Sequence, residues 1–231
     1  MKAVIIAGGQ GTRMKNYNLP KALLNIGKRT LIEWQLEQLK KTGIKEVVIC
    51  TGHMGEMIKS RLGNHKDGFL INYSHEETPL GTGGALKHAE KLINDSFLLI
   101  YGDIVFGLDL RKIIEFHKKK NAAITVLVHR TTHPEDSDLV VLDDNGKIKA
   151  LHRKPHKNPV NSDISKSSIY VVEKSVIELM PDGIYDFVDF VEKTANKGNV
   201  YGYMTDDFVT DVGTPERYEK VKKLVADNDN L

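Results

Sequence analysis

Directly after an apolar run near the N-terminus stands Gly8-Gly9-Gln10-Gly11-Thr12-Arg13. Three glycines without obstructing side chains let backbone N–H groups close around phosphate oxygens, although a plain glycine turn has the same composition. Two familiar nucleotide motifs fail on spacing. A dinucleotide fingerprint needs Gly or Ala three residues after Gly11, where Met14 stands. A Walker loop needs Gly-Lys-Ser/Thr, whereas Gly27-Lys28 is followed by Arg29. Arg13 and Lys21, the latter in Leu19-Pro20-Lys21, add two cations that could neutralise a triphosphate and its leaving pyrophosphate, or stay solvated at the surface. Asp103 lies where the apolar run Phe97–Tyr101 ends, the edge at which open α/β sheets gather ligands. A carboxylate there suits Mg²⁺, which takes one or two carboxylates and completes its shell with phosphate oxygens. Asp211, before Gly213-Thr214-Pro215, is a second candidate, and each Asp could instead serve a turn or helix cap.

Other metal chemistry finds less support. His129 and His133 are four apart, as are His152 and His156, but that spacing serves zinc only on a helix, and Pro134 and Pro155 oppose one. Cys50 is the single cysteine, so it can form no internal disulfide, and its run Val47-Val48-Ile49-Cys50 reads as buried strand. The stretch His152–Lys157 is basic, suitable either for solvent or for anions.

The elements that must position these residues show in the apolar pattern. Ala3–Ala7, Glu46–Cys50, Leu70–Ser74, Phe97–Tyr101 and Ala123–His129 read as strands. Between them, helices are expected from Thr30-Leu31-Ile32-Glu33, a capping box, to Gly43, over Met54–Leu62, near Gly84–Leu92 and over Leu110–Lys120. Repeated βα units imply a mostly parallel sheet with helices on both faces. Beyond His129 the rhythm changes. Leu139–Leu142 and Lys147–Leu151 flank Asp143-Asp144-Asn145-Gly146, a hairpin signal. Strands follow at Ile169–Val172, Val200–Tyr203 and Phe208–Thr210, with helices at Ser175–Met180 and Phe187–Asn196. Thr214-Pro215 opens the last helix, Thr as N-cap and Pro at the first helical position.

With 231 residues the chain is long enough to bury a sizeable core. Lys and Arg number 33 against 31 Asp and Glu, a formal charge of +2, which gives no reason to expect a nucleic acid partner. No run approaches a membrane span, and the short apolar start leading into Gly8-Gly9 is a first strand rather than a signal peptide. A cytoplasmic protein is expected, with monomer and homo-oligomer both open.

In chain order, Ala7-Gly8-Gly9-Gln10-Gly11-Thr12-Arg13, Leu19-Pro20-Lys21, Pro79-Leu80-Gly81-Thr82-Gly83-Gly84-Ala85, Gly102-Asp103 and Asp211-Val212-Gly213-Thr214-Pro215-Glu216-Arg217-Tyr218 resemble the motifs of sugar-1-phosphate nucleotidylyltransferases. The resemblance covers essentially the whole chain. It is most similar to the D-glycero-D-manno-heptose 1-phosphate and mannose-1-phosphate guanylyltransferase branches. This implies an α/β, Rossmann-like nucleotidyltransferase fold of GT-A type, with a central mixed, mostly parallel sheet flanked by helices and a smaller sugar-binding β subregion. One domain is implied, with residues 1–129 as nucleotide-binding half and 130–231 as sugar-phosphate-binding half. It also implies a Mg²⁺-dependent reaction in which the sugar phosphate attacks the nucleotide α-phosphorus and pyrophosphate leaves.

The resemblance likewise implies roles by position. Ala7, Gly8, Gly9, Gly11 and Thr12 with Arg13 would hold the triphosphate, and Lys21 would stabilise charge near the α-phosphate. Asp103 and Asp211 would chelate Mg²⁺, with Gly102 beside the nucleotide. The base site would be Glu76–Gly84, including Pro79, Gly81 and Thr82, with Gly81, Gly83 and Gly84 approaching a flat ring. Glu76 only accepts hydrogen bonds, so it favours guanine, then cytosine. Arg153-Lys154-Pro155 resembles the family's Glu-Lys-Pro, whose lysine binds the sugar phosphate, and assigns that role to Lys154. Lys166-Ser167-Ser168 stands where relatives commonly have Asn-Ala-Gly, and Asp136-Ser137-Asp138, which could contact hydroxyls, where many have Tyr-Gly; Lys166, Ser168 and Asp138 are the sugar-side candidates. The expected substrates are therefore an NTP, GTP first, and a sugar 1-phosphate, giving a precursor for cell-surface polysaccharide or other glycans. A cytidylyltransferase acting on a small phosphorylated compound is the alternative within enzymes. An inert sugar-nucleotide-binding regulator is the alternative outside them, opposed by the retained Arg13, Lys21, Asp103 and Asp211.

Overall fold

Residues that read as continuous apolar runs become strands buried on both faces. The computed structural model describes residues 1–11, 17–195 and 198–226. In chain order it contains β1 (Lys2–Ile6), β2 (Asn25–Ile26), β3 (Arg29–Thr30), α1 (Leu31–Lys40), β4 (Glu46–Thr51), α2 (Gly55–Leu62), β5 (His65–Lys66), β6 (Phe69–His75), α3 (Gly81–His88), β7 (Phe97–Tyr101), β8 (Ile104–Phe106) and α4 (Leu110–Lys120). The second half adds β9 (Ile124–Arg130), β10 (Leu139–Leu142), β11 (Ile148–His152), β12 (Ile164–Val172), α5 (Lys174–Leu179), α6 (Phe187–Ala195), β13 (Val200–Met204), β14 (Val209–Asp211) and α7 (Pro215–Ala226).

The main sheet is mixed and runs β11-β10-β12-β7-β1-β4-β6-β5, with β9 joined to both β12 and β13. Its centre, β7-β1-β4-β6, is parallel. Against that centre β12 lies antiparallel to β7, with Ile169 opposite Ile100 and Val172 opposite Phe97. Successive side chains alternate between two cores, as a pleated strand requires. Val4, Val48, Leu99 and Tyr170 pack with Leu86 of α3, Ile177 of α5 and Phe187 of α6. Ile5, Ile49, Ile100 and Val171 pack on the other face with Leu36 of α1, Ile58 of α2 and Ile113 of α4. Each such side chain, fully withdrawn from water, contributes about 1.5–3 kcal/mol.

A third core lies off the sheet. Trp34, Val105, Val212, Tyr218 and Val221 bring α1, β8 and α7 together. The Trp34 indole N–H donates to the Phe106 carbonyl at 3.1 Å. Among the described residues, no helix is long and apolar enough to cross a membrane.

Several boundaries differ from the sequence expectation. Helix α1 ends at Lys40 rather than Gly43, and β12 begins at Ile164 rather than Ile169. The first half of β12, Ile-Ser-Lys-Ser-Ser, lacks the apolar run that marks its second half. The three-residue β8 has no counterpart in the sequence expectation: Ile104–Phe106 is a short apolar run set apart from β7 only by Gly102-Asp103. Helix α3 begins at Gly81, three residues ahead of the expectation.

The capping box at α1 is present and serves a larger role than capping. Thr30 Oγ1 accepts from the Glu33 N–H at 3.4 Å, and Glu33 Oε2 accepts from the Thr30 N–H at 3.0 Å. Arg61 of α2 then grips the same carboxylate through two bonds of 3.0 and 3.2 Å. Burial alone would raise the Glu33 carboxyl, but Arg61 and the Thr30 N–H and hydroxyl outweigh it and bring it from 4.5 down to about 2. A depressed folded-state value contributes stability above the ordinary value, and that contribution is lost as pH falls through the folded one. Because Arg61 is half exposed, Glu33→Gln is expected to cost about 1–2 kcal/mol at neutral pH. Urea midpoints should show a constant gap down to about pH 5 that closes towards about pH 2.5. A gap independent of pH would assign the loss to packing instead.

Candidate active site

The parallel ladders continue one residue past the strands and deliver the candidate residues to one edge. The Ala7 N–H donates to the Cys50 carbonyl at 2.8 Å, Gly102 N–H to Ile6 at 2.8 Å, and Glu76 N–H to Thr51 at 2.9 Å. Gly8, Gly52, Glu76 and Asp103 therefore emerge together at the carboxyl ends of the parallel strands, where α/β sheets bind ligands. A Cβ on Gly8 would lie 2.8 Å from Glu76 Oε1, and one on Gly52 2.9 Å from the same atom. Glycine at both positions thus makes room for the Glu76 carboxylate. Glu76 Oε2 accepts from the Leu80 N–H at 3.3 Å. Burial raises the Glu76 carboxyl, opposed by the Leu80 bond and by His88 and His75. Glu76, Pro79, Gln10, Gly52 and His53 line a recess of about 350 Å³. Gly11 takes a left-handed φ of 59°, which its missing side chain permits. A Cβ on Gly9 would meet nothing within 4 Å. Thr12 and Arg13 lie outside the described residues.

Asp103 and Asp211, distant in sequence, are brought together by backbone. Strand β14 pairs antiparallel with β8, setting Asp211 opposite Ile104, and the Val212 N–H donates to the Asp103 carbonyl at 2.9 Å. Each carboxylate faces a cation. Lys21 Nζ lies 3.3 Å from Asp103 Oδ2. Arg217, in the first turn of α7, donates to Asp211 Oδ2 at 2.6 Å, while Asp211 Oδ1 accepts from the Gly213 N–H at 2.8 Å. Asp211 and then Asp136 raise the Arg217 guanidinium further. The N-terminal turn of α7 is held by Thr214, whose hydroxyl oxygen accepts from the Arg217 N–H at 3.3 Å.

Both aspartates line a cleft of about 780 Å³ that also takes in Lys154, Asp138, Lys166 and Ser168. All four sugar-side candidates therefore share it. Lys154 Nζ donates to Asp136 Oδ1 and to the Asp136 carbonyl, both at 2.7 Å. Asp136 Oδ2 takes Arg217 at 3.1 Å, so one carboxylate bridges two cleft cations. Lys154 and then Arg217 lower the Asp136 carboxyl. Asp138 accepts from the Lys154 N–H at 3.1 Å and lies 3.5 Å from Lys166 Nζ.

The glycine-rich segment is also shaped by contacts within the protein. A Cβ on Gly81 would lie 2.5 Å from the Tyr185 carbonyl oxygen, one on Gly83 2.3 Å from the Tyr185 ring, and one on Gly84 2.2 Å from the Gly183 carbonyl oxygen. The close approach that Gly81, Gly83 and Gly84 allow within the protein is to its own 183–185 segment. The Gly83 N–H donates to Tyr185 at 2.9 Å, satisfying the start of α3. Thr82 is likewise engaged within the protein. Its hydroxyl donates to Asp186 at 3.3 Å and accepts from the Tyr101 hydroxyl and the Phe187 N–H, each at 2.9 Å. Arg153 is ion-paired to Asp186 and Asp189, which ties the segment before Lys154 to the same corner.

The donor set at Asp103 and Asp211 fits Mg²⁺. Two carboxylates offer hard oxygen ligands, and among the described residues no group of three acidic, His or Cys side chains could complete a protein-only shell. Phosphate oxygens and water would have to supply the rest, the usual arrangement of Mg²⁺ on a nucleotide. Sequence reasoning named Asp136 only within the Asp136-Ser137-Asp138 stretch that could contact sugar hydroxyls, and missed Gly52, Arg217 and Asp186 as parts of the site. Only Gly52, a glycine at a strand end, carried a local signal; the others act through partners distant in the chain.

Known proteins match this arrangement along its length. The chain is 32% identical to the D-glycero-alpha-D-manno-heptose 1-phosphate guanylyltransferase of Aneurinibacillus thermoaerophilus, over 96% of this chain and 97% of that one. It is 30% identical to a mannose-1-phosphate guanylyltransferase of Mycobacterium tuberculosis, with 94% of this chain matched to 62% of that protein's length. Among solved structures, HddC from Yersinia pseudotuberculosis complexed with GMP-PN superposes with a TM-score of 0.80 at 26% identity, covering 96% of this chain and 98% of that one. Residues 2–228 match the nucleotidyl transferase family. A match that begins in the first strand and closes beyond the last helix takes in every site residue described above: the chain belongs to the nucleotidyl transferase family.

Proposed function

We propose that this chain transfers a nucleotidyl group from GTP to a sugar 1-phosphate, D-glycero-D-manno-heptose 1-phosphate or mannose 1-phosphate, releasing pyrophosphate. The observation that carries the reading is the β8–β14 ladder, which sets Asp103 and Asp211 side by side in one cleft with Lys154. The named activities of the two sequence relatives and the GMP-PN in the structural neighbour support guanine. So does the Glu76 carboxylate, an acceptor matched to the adjacent N1–H and 2-amino donors of that base.

In this mechanism an oxygen of the acceptor phosphate attacks the α-phosphorus, and the bond to the β-phosphate bridging oxygen breaks. No protein nucleophile is needed, because alignment and charge stabilisation carry such transfers. Backbone N–H groups at Gly8, Gly9 and Gly11 receive phosphate oxygens. Lys21 exchanges Asp103 for the nucleotide's α-phosphate region, and Lys154 exchanges Asp136 for the acceptor phosphate. Arg217, released from Asp211, remains within the cleft as a further cation. Mg²⁺, held by Asp103 and Asp211 when bound, would neutralise phosphate charge and make the phosphorus more electrophilic. Thr82 acts from behind the site, holding α3 through Asp186.

The decisive experiment is pyrophosphate release over four NTPs against a panel of sugar 1-phosphates. Turnover is expected with GTP and a manno-configured acceptor. Preference for CTP would reassign the base, and no release with any pair would leave a nucleotide-binding protein without this activity. Asp103→Asn and Asp211→Asn should each lower kcat by at least about 10²-fold with the fold intact by circular dichroism. Near-normal turnover would remove that residue from the metal site. For the base, Glu76→Gln should reduce the kcat/KM preference for GTP over CTP and UTP by about 1–3 kcal/mol. An unchanged ratio would place Glu76 outside base recognition.

A further inference from the structure

Among the buried polar side-chain atoms of the residues lining the cleft, two have no hydrogen-bond partner. Strand β9 ends with His129 beside Ser165 of β12, its register partner, so the two residues share a sheet face. The ladder then slips: between Lys166 opposite Val128 and Tyr170 opposite Val126, four steps along β12 pass two along β9. Ser167 lies inside this slip. His129 Nδ1 and Ser167 Oγ are both buried, both residues line the cleft, and neither atom has a hydrogen-bond partner. Ser167 as a whole is only 6% exposed. A buried hydroxyl and a buried imidazole nitrogen left without partners, both on the lining of one cleft, call for partners that a ligand in the cleft can supply.

The chemistry of the missing partner is constrained. Burial holds His129 below the ordinary histidine value, so near neutral pH its ring is uncharged, with one nitrogen donating and the other accepting. A phosphate would favour the protonated ring, whereas a hydroxyl pairs with the neutral one. Ser167 offers the same two-way hydrogen bonding. The cleft's charged groups, Lys154, Arg217, Asp103 and Asp211, are already engaged in ion pairs. Charge and neutral polarity are thus assigned to different side chains of the same cavity.

Resting on the proposed function, we infer that His129 and Ser167 are specificity residues, which hydrogen-bond hydroxyl groups of the sugar ring in a hexose or heptose 1-phosphate acceptor. Lys154 meets the acceptor's phosphate, and these two read its uncharged body.

The test uses the full chain with His129→Phe, His129→Asn and Ser167→Ala. Calorimetric binding of mannose 1-phosphate and D-glycero-D-manno-heptose 1-phosphate is measured beside steady-state pyrophosphate release with GTP. His129→Phe and Ser167→Ala should each weaken acceptor affinity about 10-fold while the KM for GTP stays within about two-fold. Monodeoxy mannose 1-phosphates give the more specific readout. Wild type should lose affinity for the analogue lacking the contacted hydroxyl, and the variant lacking its partner should no longer distinguish that analogue from the parent. His129→Asn, which keeps a polar group near the Nδ1 position, should restore part of that discrimination. Deoxy penalties unchanged in both Ser167→Ala and His129→Phe, or a rise in the GTP KM alone, would overturn the inference while leaving the reaction standing. Sugar phosphate binding that depends on His129 without any turnover would overturn the reaction and keep the inference. Failure of wild type to bind either sugar phosphate would overturn both.

Discussion

The antiparallel seat of β12 against β7 is the constraint on which the site depends. With Ile169 opposite Ile100 and Val172 opposite Phe97, the N-terminal end of β12 points toward the carboxyl end of β7. That places Ser165–Ser168 at the edge where Asp103 emerges. Had β12 joined in parallel, the same residues would lie at the far edge, a strand length away from the glycine loop. The apolar second half of β12 fixes the register by burying Ile169, Tyr170, Val171 and Val172 between two cores, and a slip of one residue would exchange its faces. The polar first half is then carried into the cleft by the part of the strand that has no choice of position.

Within the cleft, charge is organised as pairs that can exchange partners. Lys21 with Asp103, Arg217 with Asp211 and Asp136, and Lys154 with Asp136 leave no cleft carboxylate among these without a nearby cation. Unpaired, partly buried ions would be strongly destabilising. In the proposed reaction an incoming anion would replace one carboxylate with another anionic group, and an incoming cation would replace Lys or Arg. Such an exchange would preserve most of the electrostatic balance of the free protein, so binding would not be driven against a large desolvation penalty.

The parts of this arrangement that follow local rules were legible in the sequence. The runs Phe97–Tyr101 and Leu110–Lys120 match their elements residue for residue, and the Thr30–Glu33 capping box is present. The edge location of Asp103 followed from the strand ahead of it, and shared residence of Lys154, Asp138, Lys166 and Ser168 in one cleft agrees with their grouping by resemblance. What escaped depends on contacts between distant segments. Nothing near Gly81 or Gly84 announces that Tyr185 and Gly183 will occupy the space above them. Nothing near Asp136 shows that it will bridge Lys154 and Arg217, and the slip that contains Ser167 exists only once β9 and β12 are paired. Glycine spacing records that something must come close without recording what it is.

Trp34 gives one of these contacts a practical meaning. It is the only tryptophan of the chain, and its indole N–H is bonded to the carbonyl of Phe106, at the end of the strand that pairs with β14. Around it sit Val105, Val212 and Tyr218, one from the strand after Asp103, one directly after Asp211 and one from the helix bearing Arg217. Indole emission depends on the polarity and rigidity of its surroundings, and here those surroundings are the back wall of the two-aspartate site. If Arg217 changes partner as in the proposed reaction and α7 or β14 is displaced with it, the environment of that single ring changes too, which would make its emission an intrinsic optical gauge of the exchange.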